Sequence, residues 1–165
     1  MTAGRQVTTM EKINSGIANR ELRVTRVLSA LVELVWVAWT DPAHIINWWG
    51  PDEFTTTIRK MDVVEGGEWL LTLHGPDGKN YPNKSVFIEI VLFKKIVFRH
   101  FNPNYIATII FEPGEKGTLM EWTVLFETTE MFETVVKTFK ADEGLKQNAA
   151  KLENYLTQNI IQNKK

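Results

Sequence analysis

The sequence predicts an α+β domain in which a curved antiparallel sheet of six to seven strands wraps around a long C-terminal helix, with two short helices after the first strand. Short alternating segments with hairpin-length links fill the region from Phe54 to Glu127, which is typical of an antiparallel sheet. Apolar residues then recur at helical spacing over Thr128–Asn159. Because no other predicted element is long enough to cover one face of the sheet, this helix and the twisted sheet should pack together and enclose a space.

The chain begins its folded part with a strand and two short helices. Alternating residues from Glu21 predict a strand of about eight residues. Ser29 is the expected N-cap of the first helix. Asp41 and Pro42 predict the start of a second helix, which Gly50-Pro51 ends. The apolar positions of the first helix are Leu31, Leu34, Val35 and Ala38.

Glycine and proline residues at predicted turns divide the sheet region into separate strands. Gly66-Gly67 forms one turn, and in Pro76-Asp77-Gly78 the proline fixes φ while the glycine supplies a positive φ. The predicted strands are Phe54–Met61, a strand through Trp69, Leu71 and Leu73, and then Ser85–Val91, Lys95–Phe101, Tyr105–Glu112 and Thr118–Glu127.

The C-terminal region predicts a short helix followed by a long one that begins near Ala141 and is hinged near Gly144. Its apolar stripe consists of Leu145, Ala149, Leu152 and Leu156. The organisation is therefore a loosely ordered arm over residues 1–19, with a short helical stretch near Met10–Ile17, one domain over 20–160, and a tail over 161–165.

Composition restricts the class of protein. The 165 residues carry a net charge of -1 and no cysteine, which excludes disulfides and thiolate metal sites and argues against a nucleic-acid partner. No apolar run approaches the 18 or more residues of a membrane span, and no signal peptide is recognisable. We expect a cytoplasmic protein without a membrane or nucleic-acid partner.

The three histidines, His44, His74 and His100, lack the spacing of a metal site. The chain also lacks a glycine-rich phosphate loop and a Gly-x-Ser-x-Gly elbow. We therefore expect no metal and no cofactor.

A series of motifs points to a known family. They are Leu34–Pro42 (LVWVAWTDP), Trp48-Trp49-Gly50-Pro51, Gly66–Trp69 (GGEW), and Gly75–Gly78 (GPDG) with Tyr81-Pro82, together with Arg26, Glu89-Ile90, Phe98 and Thr118. Over roughly Glu21 to Thr157 the chain resembles the SRPBCC (START-like) superfamily, in the branch related to the C-terminal domain of the activator of the heat-shock-protein-90 ATPase. The resemblance implies a helix-grip fold with a deep, mostly apolar pocket, and it implies no catalytic residue set. One departure is Ala30-Leu31, where the family usually has an Ala-Pro pair.

The candidate ligand-binding residues are those expected to face the space between the sheet and the long helix. They are Trp48, Trp49, Trp69, Phe87, Glu89, Phe98, His100, Met120, Trp122 and Phe139. Adjacent helical residues point about 100° apart, so Trp48 and Trp49 should divide the roles of anchor and pocket lip. Trp69 and Trp122 are expected on the concave face, where they either fill the core or line the pocket.

Two polar residues in this set need a partner if they are buried. Glu89 shares the parity of Phe87 and is expected inside, paired with Arg26, Arg59 or Arg99, or else anchoring a ligand. His100 shares the parity of Phe98 and could orient a ligand carbonyl or act as a base.

The leading hypothesis is non-enzymatic binding of a small hydrophobic or amphipathic molecule in a cavity of roughly 300 Å³ or more. One alternative is a cyclase- or dehydratase-like enzyme acting on an aromatic or polyketide-type substrate, with His100, Glu89 and Tyr81 as its polar groups. Another is an interaction module that resembles the chaperone activator.

Leu119 and Leu125, on the outer face of the sheet, suggest a possible homodimer.

Overall fold

The computed structural model describes residues 19–160, so the N-terminal arm with its expected helical stretch near Met10–Ile17 and the tail 161–165 lie outside the described residues. The elements are β1 (Glu21–Leu28), α1 (Val32–Thr40), α2 (Pro42–Ile45), β2 (Thr55–Met61), β3 (Glu68–His74), β4 (Asn80–Val91), β5 (Lys95–Phe101), β6 (Tyr105–Gly114), β7 (Gly117–Phe126), α3 (Thr129–Phe139) and α4 (Ala141–Tyr155), followed by a π-helical turn (Leu156–Ile160). This order confirms the predicted α+β architecture.

The sheet has seven strands in the order β1-β7-β6-β5-β4-β3-β2, and every neighbouring pair is antiparallel. Residues that pair directly point to the same face. Phe98 pairs with Phe87 and with Ala107, while Trp122 pairs with Ile109, and all five are buried. The inner, concave face is therefore the apolar one, and it faces the helices.

The predicted stripe of α4 lies in the core. Ala149, Leu152 and Leu156 are fully buried, and Leu145 is partly buried against the same core. Burying three such side chains against the sheet contributes several kcal/mol, at about 25 cal/mol per Å² of apolar surface. The prediction that the long helix covers the sheet is confirmed.

The start of α1 differs from the prediction. Leu31 is the N-cap, it makes no side-chain cap bond, and its side chain is 66% exposed. The Ser29 hydroxyl donates instead to Glu153 on α4, at 3.0 Å. At α2 the prediction is confirmed, because Asp41 accepts a hydrogen bond from Ala43 N at 2.9 Å and Pro42 opens the helix.

The break between α3 and α4 also differs. The residue in the left-handed region is Lys140, with φ 54°, whereas Gly144 lies within α4. Gly144 faces Pro51, whose Cβ would be 3.7 Å from an added Cβ. An added Cβ would make an ordinary van der Waals contact at this distance, so the approach of α4 to Pro51 does not require a glycine. The hinge expected at Gly144 is wrong, because the break lies at Lys140.

A β-bulge interrupts β4 at Ile88. Phe87 pairs with Phe98, yet Glu89, two residues later, pairs with the very next partner, Val97. The extra residue reverses the alternation, so that residues after Ile88 point to the face opposite to the one that parity predicts.

Candidate ligand-binding site

The centre of the molecule is an aromatic cluster between the sheet and the helices. We define the aromatic cluster as Trp39, Trp48, Trp49, Trp69, Phe98 and Trp122. Trp49 contacts the other five rings at centroid distances between 4.9 and 6.4 Å. Those five are at most 3% exposed, whereas Trp49 is half-buried. Trp49 is thus the member of the cluster that reaches the surface.

The two adjacent tryptophans do divide their roles. Trp48 is fully buried, and its indole Nε1–H donates to Ala38 O at 3.1 Å, so it anchors the segment after α2 to α1. Trp49 fills the middle of the aromatic cluster. The rotation of about 100° between neighbouring residues in a helical turn accounts for this division.

Asn148 on α4 fixes the backbone on both sides of Trp49. Its Nδ2 donates to Trp48 O at 2.8 Å, and its Oδ1 accepts from Gly50 N at 3.1 Å. Gly50 has φ 106°, a conformation that glycine adopts without strain. Asn148 is 6% exposed, so these bonds are shielded from water.

Lys151, one turn further along α4, holds the rest of this loop. Its Nζ donates to Gly50 O and Pro51 O, both at 3.1 Å, and lies 3.4 Å from Phe54 O. Desolvation by burial lowers the pKa of Lys151, and the charge of Asp52 opposes that shift. The loop that carries Trp49 is therefore fastened to α4 through its backbone.

Three indole N–H groups of the aromatic cluster lack a hydrogen-bond partner among the described residues. They belong to Trp39, Trp69 and Trp122, which are 2%, 2% and 3% exposed. A buried donor without an acceptor costs about 1–3 kcal/mol. Edge-to-face neighbours such as Phe98, at 81° to Trp69, offer only weak N–H···π contacts.

The space expected to form the cavity is filled in this conformation. The side chains predicted to line it have almost no accessible surface: Trp48 and Met120 0%, Phe98 1%, Trp69 and Phe87 2%, and Trp122 3%. A void that holds even one water would leave part of that surface accessible. A cavity of about 200 Å³ lies instead at the sheet end near Arg20, Tyr105 and Glu127, and none of the predicted site residues lines it.

Glu89 does not lie in the site. The bulge at Ile88 turns it to the outer face, where it forms an ion pair with Lys95 at 3.1 Å rather than with any of the three expected arginines. Phe139 is also outside, at 71% exposure, because the core contacts of α3 end at Val135. The prediction that Glu89 and Phe139 line the pocket is therefore wrong.

His100 lies on the inner face as expected, but its ring nitrogens are occupied. Nδ1 is 2.9 Å from Pro103 O, Nε2 contacts the side-chain amide of Asn83, and the Tyr105 ring stacks on the imidazole at 4.5 Å. Burial lowers the pKa of His100, and the Pro103 carbonyl opposes part of that shift. With both ring nitrogens held by groups of the protein, the imidazole has a structural role in this conformation.

The three residues considered for catalysis are not brought together. Tyr81 is 40% exposed, with its hydroxyl 3.4 Å from Asp77, whereas Glu89 lies on the opposite face from His100.

Within residues 19–160, no three His, Asp or Glu side chains are grouped so that they could hold a metal ion. Over the same range, no helix has the length and apolarity to span a membrane.

The residues considered for a homodimer lie on the outer face of the sheet. Leu119 pairs with Val27, and both are exposed, at 38% and 57%. Leu125 is half-buried and pairs with Glu21. Self-association through this face stays a prediction.

Two members of the site escaped the sequence analysis. Trp39 is part of a motif in the sequence and has no signal there of a pocket residue, although it contacts Trp48, Trp49 and Trp122. Asn148 adjoins Ala149 in the apolar stripe of α4. A polar residue beside a buried helical position signals a buried hydrogen-bond partner, and this signal could have identified Asn148.

Comparisons with known proteins agree with this architecture. Residues 29–157 match the family model described as activator of Hsp90 ATPase homolog 1-like protein. Comparison with curated proteins finds no significant match. A solved protein from Nitrosomonas europaea is 24% identical, with a TM-score of 0.79, and the match covers 86% of this chain and 96% of that one. A protein from Arthrobacter aurescens is 22% identical, with a TM-score of 0.80 and coverages of 86% and 88%. An AHSA1-like protein from Aeromonas hydrophila is 18% identical, with a TM-score of 0.68 and coverages of 83% and 92%.

Proposed function

Since the chain belongs to the family of activator of Hsp90 ATPase homolog 1-like proteins, we propose that it binds a small hydrophobic or amphipathic molecule, without catalysis, in the space that Trp49 occupies. The supporting observation is the placement of Trp49, a half-buried side chain surrounded by five buried aromatic rings. Rotation of this side chain toward solvent would leave an apolar space of about the size of an indole, with a rigid wall.

The backbone contacts support this exchange. Asn148 and Lys151 hold the residues on both sides of Trp49, so its side chain can rotate without displacement of the loop. Removing a large apolar side chain from its contacts costs about 1.5–3 kcal/mol. The open state would then be populated at roughly 1–10%, and the apparent affinity for a ligand would be reduced by the same fraction.

An interaction module is the second candidate, and the filled interior favours it. A packed core without a void needs no ligand, and the family is named after an activator of a chaperone ATPase. The enzymatic alternative has weaker support, because His100, Glu89 and Tyr81 do not converge.

Titration with 6-propionyl-2-(dimethylamino)naphthalene, an uncharged fluorescent probe, distinguishes the two candidates. We expect Trp49→Ala to bind the probe at least tenfold more tightly than the wild type, because the space is already open. Phe139→Ala, which removes an exposed aromatic side chain, is the matched control and should behave like the wild type. If neither the wild type nor Trp49→Ala binds the probe while both remain folded, the interaction module is the better explanation.

A further inference from the structure

The unpaired indole groups indicate which chemistry the ligand should carry. Resting on the binding site proposed above, we infer that the ligand is an uncharged apolar molecule bearing a hydrogen-bond acceptor, such as a carbonyl oxygen, which pairs with buried indole N–H groups of the aromatic cluster.

The donors lie around the ring that the ligand would replace. The ring centroids of Trp69, Trp122 and Trp39 are 4.9, 5.6 and 5.7 Å from that of Trp49. A molecule in the place of Trp49 would therefore contact the rings of all three indoles whose N–H groups are unpaired. Trp122 presents its ring face to that place, so Trp39 and Trp69, whose planes lie at 72° and 55° to that of Trp49, are the candidate donors. Trp48, the remaining buried tryptophan of the aromatic cluster, already donates to Ala38 O and is not available.

The chemistry of indole determines the complementary group. An indole nitrogen donates one hydrogen bond and accepts none. The aromatic cluster consists of tryptophan and phenylalanine side chains, so it offers donors and no side-chain acceptor. A ligand hydroxyl that has to donate would stay unpaired there, at a cost of about 1–3 kcal/mol, whereas a ligand acceptor would satisfy a donor that is now unpaired.

The surroundings favour an uncharged ligand. No member of the aromatic cluster carries a charge, and the ammonium group of Lys151 is already surrounded by the backbone carbonyls of Gly50, Pro51 and Phe54. Neutral donors alone do not compensate the desolvation of a buried carboxylate. A neutral ketone, ester or amide-like carbonyl therefore fits better than an acid.

Acetophenone and ethylbenzene test the inference, because they have nearly the same shape and differ in the carbonyl oxygen; benzoate serves as the charged arm. Each is titrated into the wild type and into Trp49→Ala, with ¹⁵N-labelled indole groups followed by NMR. We expect acetophenone, and not ethylbenzene, to shift the N–H signal of at least one of Trp39 and Trp69 downfield. We expect benzoate to bind more weakly than acetophenone.

Trp39→Phe and Trp69→Phe remove the donors but keep an aromatic ring. At least one of them should reduce the affinity for acetophenone by roughly threefold to tenfold relative to the affinity for ethylbenzene. Trp36→Phe is the matched control, because this buried tryptophan packs against Phe93 and Phe111 outside the aromatic cluster, and it should leave that ratio unchanged. Equal binding of both probes with unchanged ratios in all variants overturns the acceptor inference and leaves the binding site standing. If benzoate binds more tightly than acetophenone, the inference that the ligand is uncharged is wrong. If none of the three probes binds, the proposed function itself is wrong.

Discussion

Trp49 stacks on Trp122, with their ring centroids 5.6 Å apart and their planes at 23°. Its contacts with Trp39 and Trp48 are edge-to-face, at 72° and 69°. The stack covers one face of the Trp122 ring, which lies on β7, the strand next to the edge strand β1. Any molecule that replaces Trp49 therefore has to cover that face, which a flat apolar group does well.

The two adjacent tryptophans should differ in their contribution to stability. Trp48→Ala removes a fully buried ring and the bond to Ala38 O, so we expect a loss of about 3–5 kcal/mol in the free energy of unfolding. Trp49→Ala should cost about 1–2 kcal/mol, because that side chain is only half-buried and its removal opens the site to water. Urea denaturation of both variants measures the difference, and equal losses would contradict the assignment of Trp48 as anchor and Trp49 as replaceable.

Asn148 should be required for the loop that carries Trp49. Asn148→Ala leaves Trp48 O and Gly50 N without their partner in a buried place, and we expect a loss of about 2–4 kcal/mol. Asn154→Ala, an exposed position on the same helix, should stay within about 0.5 kcal/mol of the wild type. Thermal unfolding compares the two variants. A similar, small effect of both would show that the loop is held by other contacts.

The stability of the fold should fall in mild acid, partly through His100. Because burial lowers the pKa of His100 in the folded state, the unfolded chain takes up a proton at a higher pH than the folded one. The free energy of unfolding should therefore decrease as the pH falls from about 7 through the usual histidine range near 6.5 and below. His100→Gln should weaken this dependence when urea midpoints are measured between pH 7 and pH 5. A slope unchanged in the variant would assign the acid sensitivity to other groups.

Glu89 should have little influence on ligand binding or stability. It forms an ion pair with Lys95 on the outer face, where solvent screens the interaction. We expect Glu89→Gln to change the free energy of unfolding by less than about 1 kcal/mol. The affinity for 6-propionyl-2-(dimethylamino)naphthalene in Trp49→Ala should be the same with and without this second substitution. A clear change in affinity would return Glu89 to the binding site.

Local signals in the sequence predicted most of the fold. Alternation over β5 and the Asp41-Pro42 pair depend on the chemistry of neighbouring residues, and both were predicted correctly. The left-handed conformation of Lys140 at the end of α3 was not predictable in this way, because a lysine stands where such helix ends usually have glycine. The bulge at Ile88 was not predictable either, because it depends on the pairing of β4 with β5. The same limit applies to the site. The sequence indicated an excess of aromatic residues, but whether their rings leave a void or fill it depends on how closely α4 approaches the sheet.

The bulge at Ile88 has a consequence for comparisons with distant relatives. Ile88 acts as an inserted residue within a strand, so a relative that lacks the bulge needs a one-residue gap at this point to align correctly with this chain. Without that gap, the solvent-facing Glu89 would be aligned with positions that point into the core of the relative, and the inward-facing Ile90 with positions that point outward. Glu89 would then be mistaken for the counterpart of a pocket residue in the relative. Ligand sites that include this strand should therefore be compared by superposition of backbones rather than by sequence alignment.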